Sequence, residues 1–221
     1  MPLAPLLETG QRLSRREFEW RYHAHPEIKK AELIEGVVYV TSPVRVKRHS
    51  RPHYNIIAWS SFYQVNTPGI WGDDNVTLRL DKKNEFQPDV CLSLEPSLGG
   101  RAWITRDDYL TGTPELIIEV AGSSMGRDLG AKKRVYARYG VPEYIVIRTV
   151  TRKIDWFVLQ KGEYKLLTPD ENGLLRSRVF PGLWLDAAAF WAGDMRAVMA
   201  ALQRGMASPG YAAFVVQLHD E

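Results

Sequence analysis

Apolar positions along this chain fall into short alternating runs separated by helical stripes. Ser14 followed by Glu17 forms a capping box that opens a short helix to about Tyr22, and Pro26 stops it. In AELIEGVVYV, Gly36 interrupts Leu33, Val37, Val38 and Val40. That predicts two strand halves joined at a bulge or tight turn, with Glu32 and Glu35 inside them. From Arg51 to Val65, the residues Tyr54, Ile57, Ala58, Phe62 and Val65 recur at helical spacing and predict an amphipathic helix. NVTLRLD (75–81) and QPDVCLSL (87–94) flank the polar turn KKNE as a hairpin, and a loop with Gly99 and Gly100 follows.

PELIIEVAG (114–122) reads as a nearly continuous apolar strand, residues 126–140 as a helix stopped by Gly140, and VPEYIVIRTV (141–150) as a returning strand. Strand, helix and strand with short links predict a parallel βαβ unit. KIDWFVLQ and EYKLLTP flank a Lys161-Gly162 turn as a hairpin, RVFPGLWLD is an edge segment broken by Pro181, and residues 186–206 form a terminal helix. The sum is a mixed sheet flanked by helices, of class α/β or α+β, expected as a single domain over residues 1–221.

Composition narrows the picture only slightly. With 221 residues, 45% of them hydrophobic and 25% charged, the chain can bury one substantial core. A net charge of +3, from 29 Lys and Arg against 26 Asp and Glu, is too balanced to argue a nucleic-acid partner by itself. The lone Cys91 cannot form an internal disulfide, and no Cys/His spacing suggests zinc, so a cytoplasmic location is the expectation. The N-terminal stretch lacks the apolar core of a secretion signal, and no apolar run is long enough to span a membrane.

Three residues break the pattern. A strand buried on both faces should carry no charge at its middle, yet Glu119 sits within LIIEVA. Asp89 begins the apolar run VCL directly after Pro88, whose missing donor puts it at a strand start or edge. At about 100° per residue, Leu129, Val135, Tyr136 and Tyr139 define the apolar stripe of the following helix, with Lys132 at its centre and Asp128 at its edge. An inward lysine either snorkels to water or reaches the carboxylates on the preceding strand. Two carboxylates and an ammonium in one cleft suit phosphodiester hydrolysis. Hard oxygens hold Mg2+, the metal activates water and offsets phosphate charge, and the ammonium stabilises the transition state.

The chain carries, in order, the segments Glu-Leu-Ile-Glu-Gly (32–36), Gln-Pro-Asp (87–89), Glu-Val-Ala (119–121), Asp-Leu-Gly-Ala-Lys-Lys-Arg-Val-Tyr (128–136) and Gly-Val-Pro-Glu-Tyr (140–144). In order and spacing, over about residues 15–150, the chain resembles the Uma2 family of restriction endonucleases, within the PD-(D/E)XK nuclease superfamily. The resemblance implies a restriction-endonuclease-like core, with residues 151–221 adding a C-terminal hairpin and helix. It also implies a divalent metal, Mg2+ with Mn2+ able to substitute, held by Asp89 and Glu119. A supporting acid would come from Glu32 or Glu35, with Glu32 slightly preferred, and the catalytic lysine from Lys132. The chain departs from the superfamily pattern at Ala121, where the usual lysine would stand, and at Gly122-Ser123-Ser124-Met125, where relatives usually read Ser-Pro-Ser-Thr.

RVKRHSRPH (45–53) places Arg45, Lys47 and Arg48, with His49 and His53, just before a helix, where they could contact phosphates. Pro52 argues that His49 lies outside that helix. The leading expectation is an Mg2+-dependent endonuclease acting on DNA, working as a homodimer if it cuts both strands. The alternative is a non-catalytic nucleic-acid-binding or scaffold protein that retains the fold.

Overall fold

Local sequence chemistry accounts for the first turns of a computed structural model that describes residues 4–41 and 46–220, the side chains of Arg48 and Asp220 excepted. Helix α1 (Arg15–Ala24) is capped by Ser14, whose Oγ accepts from the Glu17 N–H at 3.3 Å. The Glu17 carboxylate turns to Arg21 at 2.8 Å, so only half of the capping box forms. Strands β1 (Ala31–Ile34) and β2 (Val37–Val40) make a tight antiparallel hairpin. Its two turn residues, Glu35 and Gly36, both adopt positive φ (51° and 78°), as a primed hairpin turn requires. Glu35 therefore lies in the turn and not inside a strand.

A π-helical turn (Val46–Ser50) runs into α2 (Arg51–Asn66). The strands β3 (Ile70–Asp74), β4 (Leu78–Asp81), β5 (Asn84–Phe86), β6 (Val90–Leu94), β7 (Arg101–Ile104), β8 (Leu110–Thr113) and β9 (Leu116–Ala121) follow. The chain continues through α3 (Met125–Arg127), a second π-helical turn (Asp128–Lys132), α4 (Lys133–Tyr139) and β10 (Glu143–Arg148). It closes with β11 (Lys153–Gln160), β12 (Glu163–Leu166), β13 (Leu174–Arg176), β14 (Trp184–Asp186), α5 (Ala187–Ala192), α6 (Met195–Met206) and α7 (Pro209–Asp220).

One sheet has the order β2-β1-β5-β4-β8-β7 and another β12-β11-β10-β9-β6-β3, with β13 and β14 paired separately. β9 and β10 pair in parallel through the α3–α4 crossover, as the βαβ reading expects, and every other pairing in the second sheet is antiparallel. The architecture is mixed α+β, with a C-terminal hairpin and helices added.

Period-two alternation in β9 sends Leu116, Ile118 and Val120 to a core shared with α2, β14 and α6. Ile117 and Ala121 face a second core built on Phe86, Val135, Tyr136 and Tyr144. Glu119 has the parity of this second face.

Four expectations need correction. The buried face of α2 is Ile56, Trp59, Ser60 and Tyr63, while Tyr54 and Val65 are exposed. The larger rings set the rotation: Trp59 Nε1 donates to the Trp184 carbonyl at 2.9 Å and Tyr63 Oη to that of Pro181 at 2.7 Å. The 75–94 hairpin is β4 with β5, whereas QPDVCLSL crosses into the other sheet as β6. β3, β7 and β8 occupy stretches without a clear strand pattern. The 186–206 helix is two helices, broken where Gly193 takes φ 79° and the Asp194 carboxylate caps α6 through the Ala197 N–H.

We propose that the C-terminal elements and the sheets form one folding unit, because Phe180, Leu183 and Leu185 sit in the same core as Trp59, Ile118 and Trp156. Phe180→Ala is then expected to cost about 3–5 kcal/mol in a single calorimetric transition. A separate C-terminal transition, with the rest melting as in the wild type, would contradict this.

Candidate active site

Glu119 and Asp89 are brought together by strand register. β6 and β9 pair antiparallel with Val90 opposite Ile118 and Cys91 opposite Ile117, so Asp89, one residue before β6, meets the chain beside Glu119, and both line one cavity. Asp89 Oδ2 accepts the Val120 N–H at 2.7 Å, which ties the carboxylate to β9.

Lys132 completes the cluster from the π-helical turn at 128–132, and it does not snorkel: the residue is 1% exposed. Its ammonium lies 2.7 Å from Glu32 Oε1, 2.8 Å from Glu119 Oε1 and 3.7 Å from Asp128 Oδ1. Surrounding groups orient these acids. Glu119 Oε1 also accepts from the Tyr136 hydroxyl at 3.2 Å, and Glu32 Oε1 from the Gln87 N–H at 3.0 Å. Asp128 Oδ2 accepts from Ser124 Oγ at 2.5 Å, and the Tyr144 hydroxyl donates to the Asp128 carbonyl at 3.0 Å.

Lys30 and Arg127, which the sequence reading did not single out, supply further cations. Lys30 Nζ lies 3.0 Å from Asp89 Oδ1, and Arg127 Nε 3.6 Å from Glu32 Oε2. The sequence did hold a signal for Lys30: it precedes Glu32 by two residues, so in extended chain the two share a face.

The groups placed by reading and structure divide clearly. Glu32, Asp89, Glu119 and Lys132 converge. Glu35 does not, because from its turn it reaches out to Arg134 at 3.2 Å and Arg138 at 3.1 Å. Contrary to the argument from Pro52, His49 is part of a helical turn continuous with α2, and its ring lies 5.2 Å from that of His53. Pro52 occupies the first turn of α2, where its missing N–H costs nothing. Both histidines reach the site. His49 Nε2 is 3.6 Å from Asp89 Oδ1, and His53 Nε2 is 3.0 Å from the Asp89 carbonyl and 3.0 Å from Asp74 Oδ1. Lys47 is exposed on the same turn as His49, Arg45 lies outside the described residues, and so does the side chain of Arg48.

Glu32, Asp89, Glu119 and Asp128 face Lys30, Arg127 and Lys132, one carboxylate more than there are cations. Burial opposes the charge on Glu32 and Asp89, but Lys132 and Arg127 at Glu32, and Lys30 with the Val120 N–H at Asp89, outweigh it and hold both below the usual carboxylate range. Burial likewise works against Lys132, yet Glu119, Glu32 and Asp128 together raise its pKa. Glu119 carries the surplus. Burial first, then Asp128, Asp89 and Glu32, push it up to about 8 despite Lys132. The cluster lines a cavity of about 760 Å3 together with Lys30 and His49.

Among the described residues, no three His, Cys, Asp or Glu side chains form a ready-made metal cage. A hydrated, hard divalent cation needs less than a cage, since Mg2+ is commonly bound by one or two carboxylates plus waters. The donor set fits that ion: Asp89 and Glu119 line one cavity, the acids there outnumber Lys30, Arg127 and Lys132 by one, and buried Glu32 Oε2 and Asp128 Oδ1 have no hydrogen-bond partner.

Asp89, Glu119, the supporting acid Glu32 and the inward Lys132 from the crossover are the residues that the resemblance to the Uma2 family implies, and they line one cavity. The profile of the Uma2 family, described as "Putative restriction endonuclease", matches residues 17–188, and the chain belongs to that family. Among solved structures it is similar to one described as "a putative nuclease belonging to DUF820" from Anabaena variabilis ATCC 29413, with 12% identity and a TM-score of 0.53. That likeness covers 78% of this chain and 90% of the other, and it is a likeness of fold. No curated protein matches the sequence.

Lys132→Met removes the ammonium that three buried acids share. Its folded-state carboxylates then stand above their unfolded pKa values, so the variant keeps its stability below about pH 4 and loses it as pH rises. The deficit against wild type should grow toward neutrality to about 3–5 kcal/mol in urea unfolding. An equal deficit in acid and at neutral pH would mean lost packing alone.

Proposed function

We propose that this protein is a divalent-metal-dependent endonuclease that hydrolyses phosphodiester bonds in DNA. The observation that carries the reading is the buried Lys132 joining Glu32 and Glu119 beside Asp89, in a cavity large enough for a sugar-phosphate segment. Burying a lysine among acids is expensive unless the arrangement is complete, and replacement by apolar residues would often be neutral or stabilising.

Asp89 and Glu119 are the residues that would hold Mg2+, with Mn2+ able to substitute. When bound, such an ion lowers the pKa of a water and offsets phosphate charge. Lys132 fixes the positions of Glu119 and Glu32 and holds a permanent positive charge at the cavity wall, where a scissile phosphate would gain negative charge in the transition state. Lys30 and Arg127, which also line the cavity, are placed to pair with phosphate oxygens. The basic stretch Arg45, Lys47 and Arg48 would extend those contacts along the backbone. Cutting both strands of a duplex calls for two sites related by symmetry, so a homodimer is part of the proposal. The lone, buried Cys91 suits a reducing cytoplasm, and among the described residues no helix is long and apolar enough to cross a membrane.

The test is cleavage of supercoiled plasmid with Mg2+, Mn2+ or EDTA, alongside Asp89→Asn and Glu119→Gln variants shown to be folded. Nicking that needs metal and falls to background in both variants is expected. Binding without cleavage under every metal would move the reading to a non-catalytic DNA-binding protein.

A further inference from the structure

His49 is held so that one ring nitrogen is spoken for and the other faces the site. Nδ1 lies 3.0 Å from the Val120 carbonyl, which can only accept, so Nδ1 carries the proton and the neutral ring keeps its lone pair on Nε2. Nε2 is 3.6 Å from Asp89 Oδ1, too far for a hydrogen bond. Two donors about 2.1 Å from a common cation stand about 3.4 Å apart in tetrahedral geometry, close to the observed separation, and about 3.0 Å apart in octahedral geometry, which a small rotation of either side chain would reach.

The surroundings fix both donors to one reference. Residue 120 anchors Asp89 through its N–H and His49 through its carbonyl, and it follows Glu119 in β9. The His53 ring packs against His49 at 5.2 Å with a tilt of 52°, while its Nε2 holds the Asp89 main chain. Lys30 stands 3.0 Å from the same Asp89 Oδ1 and also donates to Asn75 Oδ1 at 3.1 Å, so a cation arriving at Asp89 leaves the ammonium a partner to fall back on.

Resting on the reading of a metal at Asp89 and Glu119, we propose that His49 Nε2 is a third protein ligand. The site then favours cations that accept an imidazole nitrogen, such as Mn2+, Co2+ or Zn2+, over Mg2+. Carboxylate and water alone suit Mg2+, whereas imidazole shifts affinity along the transition-metal series. Nδ1–H donating to the Val120 carbonyl is the kind of outer contact that orients a metal-bound histidine.

The experiment combines 15N-histidine NMR with calorimetry on the full chain, using Zn2+ as a diamagnetic probe and Mn2+ and Mg2+ for affinity. His49→Gln assigns the His49 resonance among the five histidines, and His49→Asn serves if the first variant is unstable. Zn2+ is expected to move the His49 Nε2 resonance, and the variant to lose at least about tenfold in Mn2+ affinity with a smaller change for Mg2+. An unmoved resonance and equal Mn2+ affinity in wild type and variant, with binding still abolished by Asp89→Asn, would overturn the His49 assignment and leave the metal site intact. Failure of the wild type to bind any of the three cations would overturn both.

Discussion

The contact of the Lys132 ammonium with Glu119 and Glu32 is the interaction on which the rest of the structure depends. It joins three separated parts of the chain: the first hairpin, the central strand β9, and the crossover between the two parallel strands. All three side chains are buried, so each partner is costly without the others, and removing either side leaves an uncompensated charge in the interior. The sheets on either side of the cavity are positioned by the same contact. β1 brings Glu32 from one sheet to meet Glu119 in the other, and the Gln87 N–H binds Glu32 where the chain passes between them.

From that constraint follows the electrostatic character of the cavity. Lys132 cannot neutralise every acid it touches, and it is Glu119 on β9 that burial and the neighbouring acids Asp128, Asp89 and Glu32 push up to about 8. Lys30 meets Asp89 from the rim, with Asn75 as a second partner, and so acts as a displaceable counter-charge. Glu119 thus holds a proton that an incoming cation would displace, and Arg127, Lys30, His49 and His53 line the approach. Membership in the Uma2 family is consistent with that arrangement.

Much of the site was legible because it breaks rules. A glutamate inside LIIEVA and a lysine on an apolar helical stripe are anomalies that strand and helix periodicity expose directly, and Gly140 marked the helix end through its left-handed backbone (φ 77°). Other features were hidden for physical reasons. The choice between Glu32 and Glu35 turns on a primed hairpin turn, which Glu35 occupies at positive φ despite its side chain. The stripe of α2 was misplaced because Trp59 and Tyr63, whose polar tips reach backbone carbonyls far along the chain, decide its rotation rather than the count of aliphatic positions. β7 and β8 are short, and three of the four β7 residues are exposed, so no alternation announced them. Lys30 and Arg127 look like ordinary surface charges until the carboxylates they face are placed.

The central claim, that this cluster is a carboxylate site whose surplus acid would give up its proton to a divalent cation, is tested most directly by the protons released when Mn2+ or Mg2+ binds. Glu119, with its pKa pushed up to about 8, is largely protonated at neutral pH and must lose that proton to coordinate metal. Calorimetric titration in buffers of differing ionisation enthalpy should show about one proton released per cation near pH 7, declining as pH rises through about 8. Binding with no proton release at neutral pH, or release that Glu119→Gln leaves unchanged, would contradict the account.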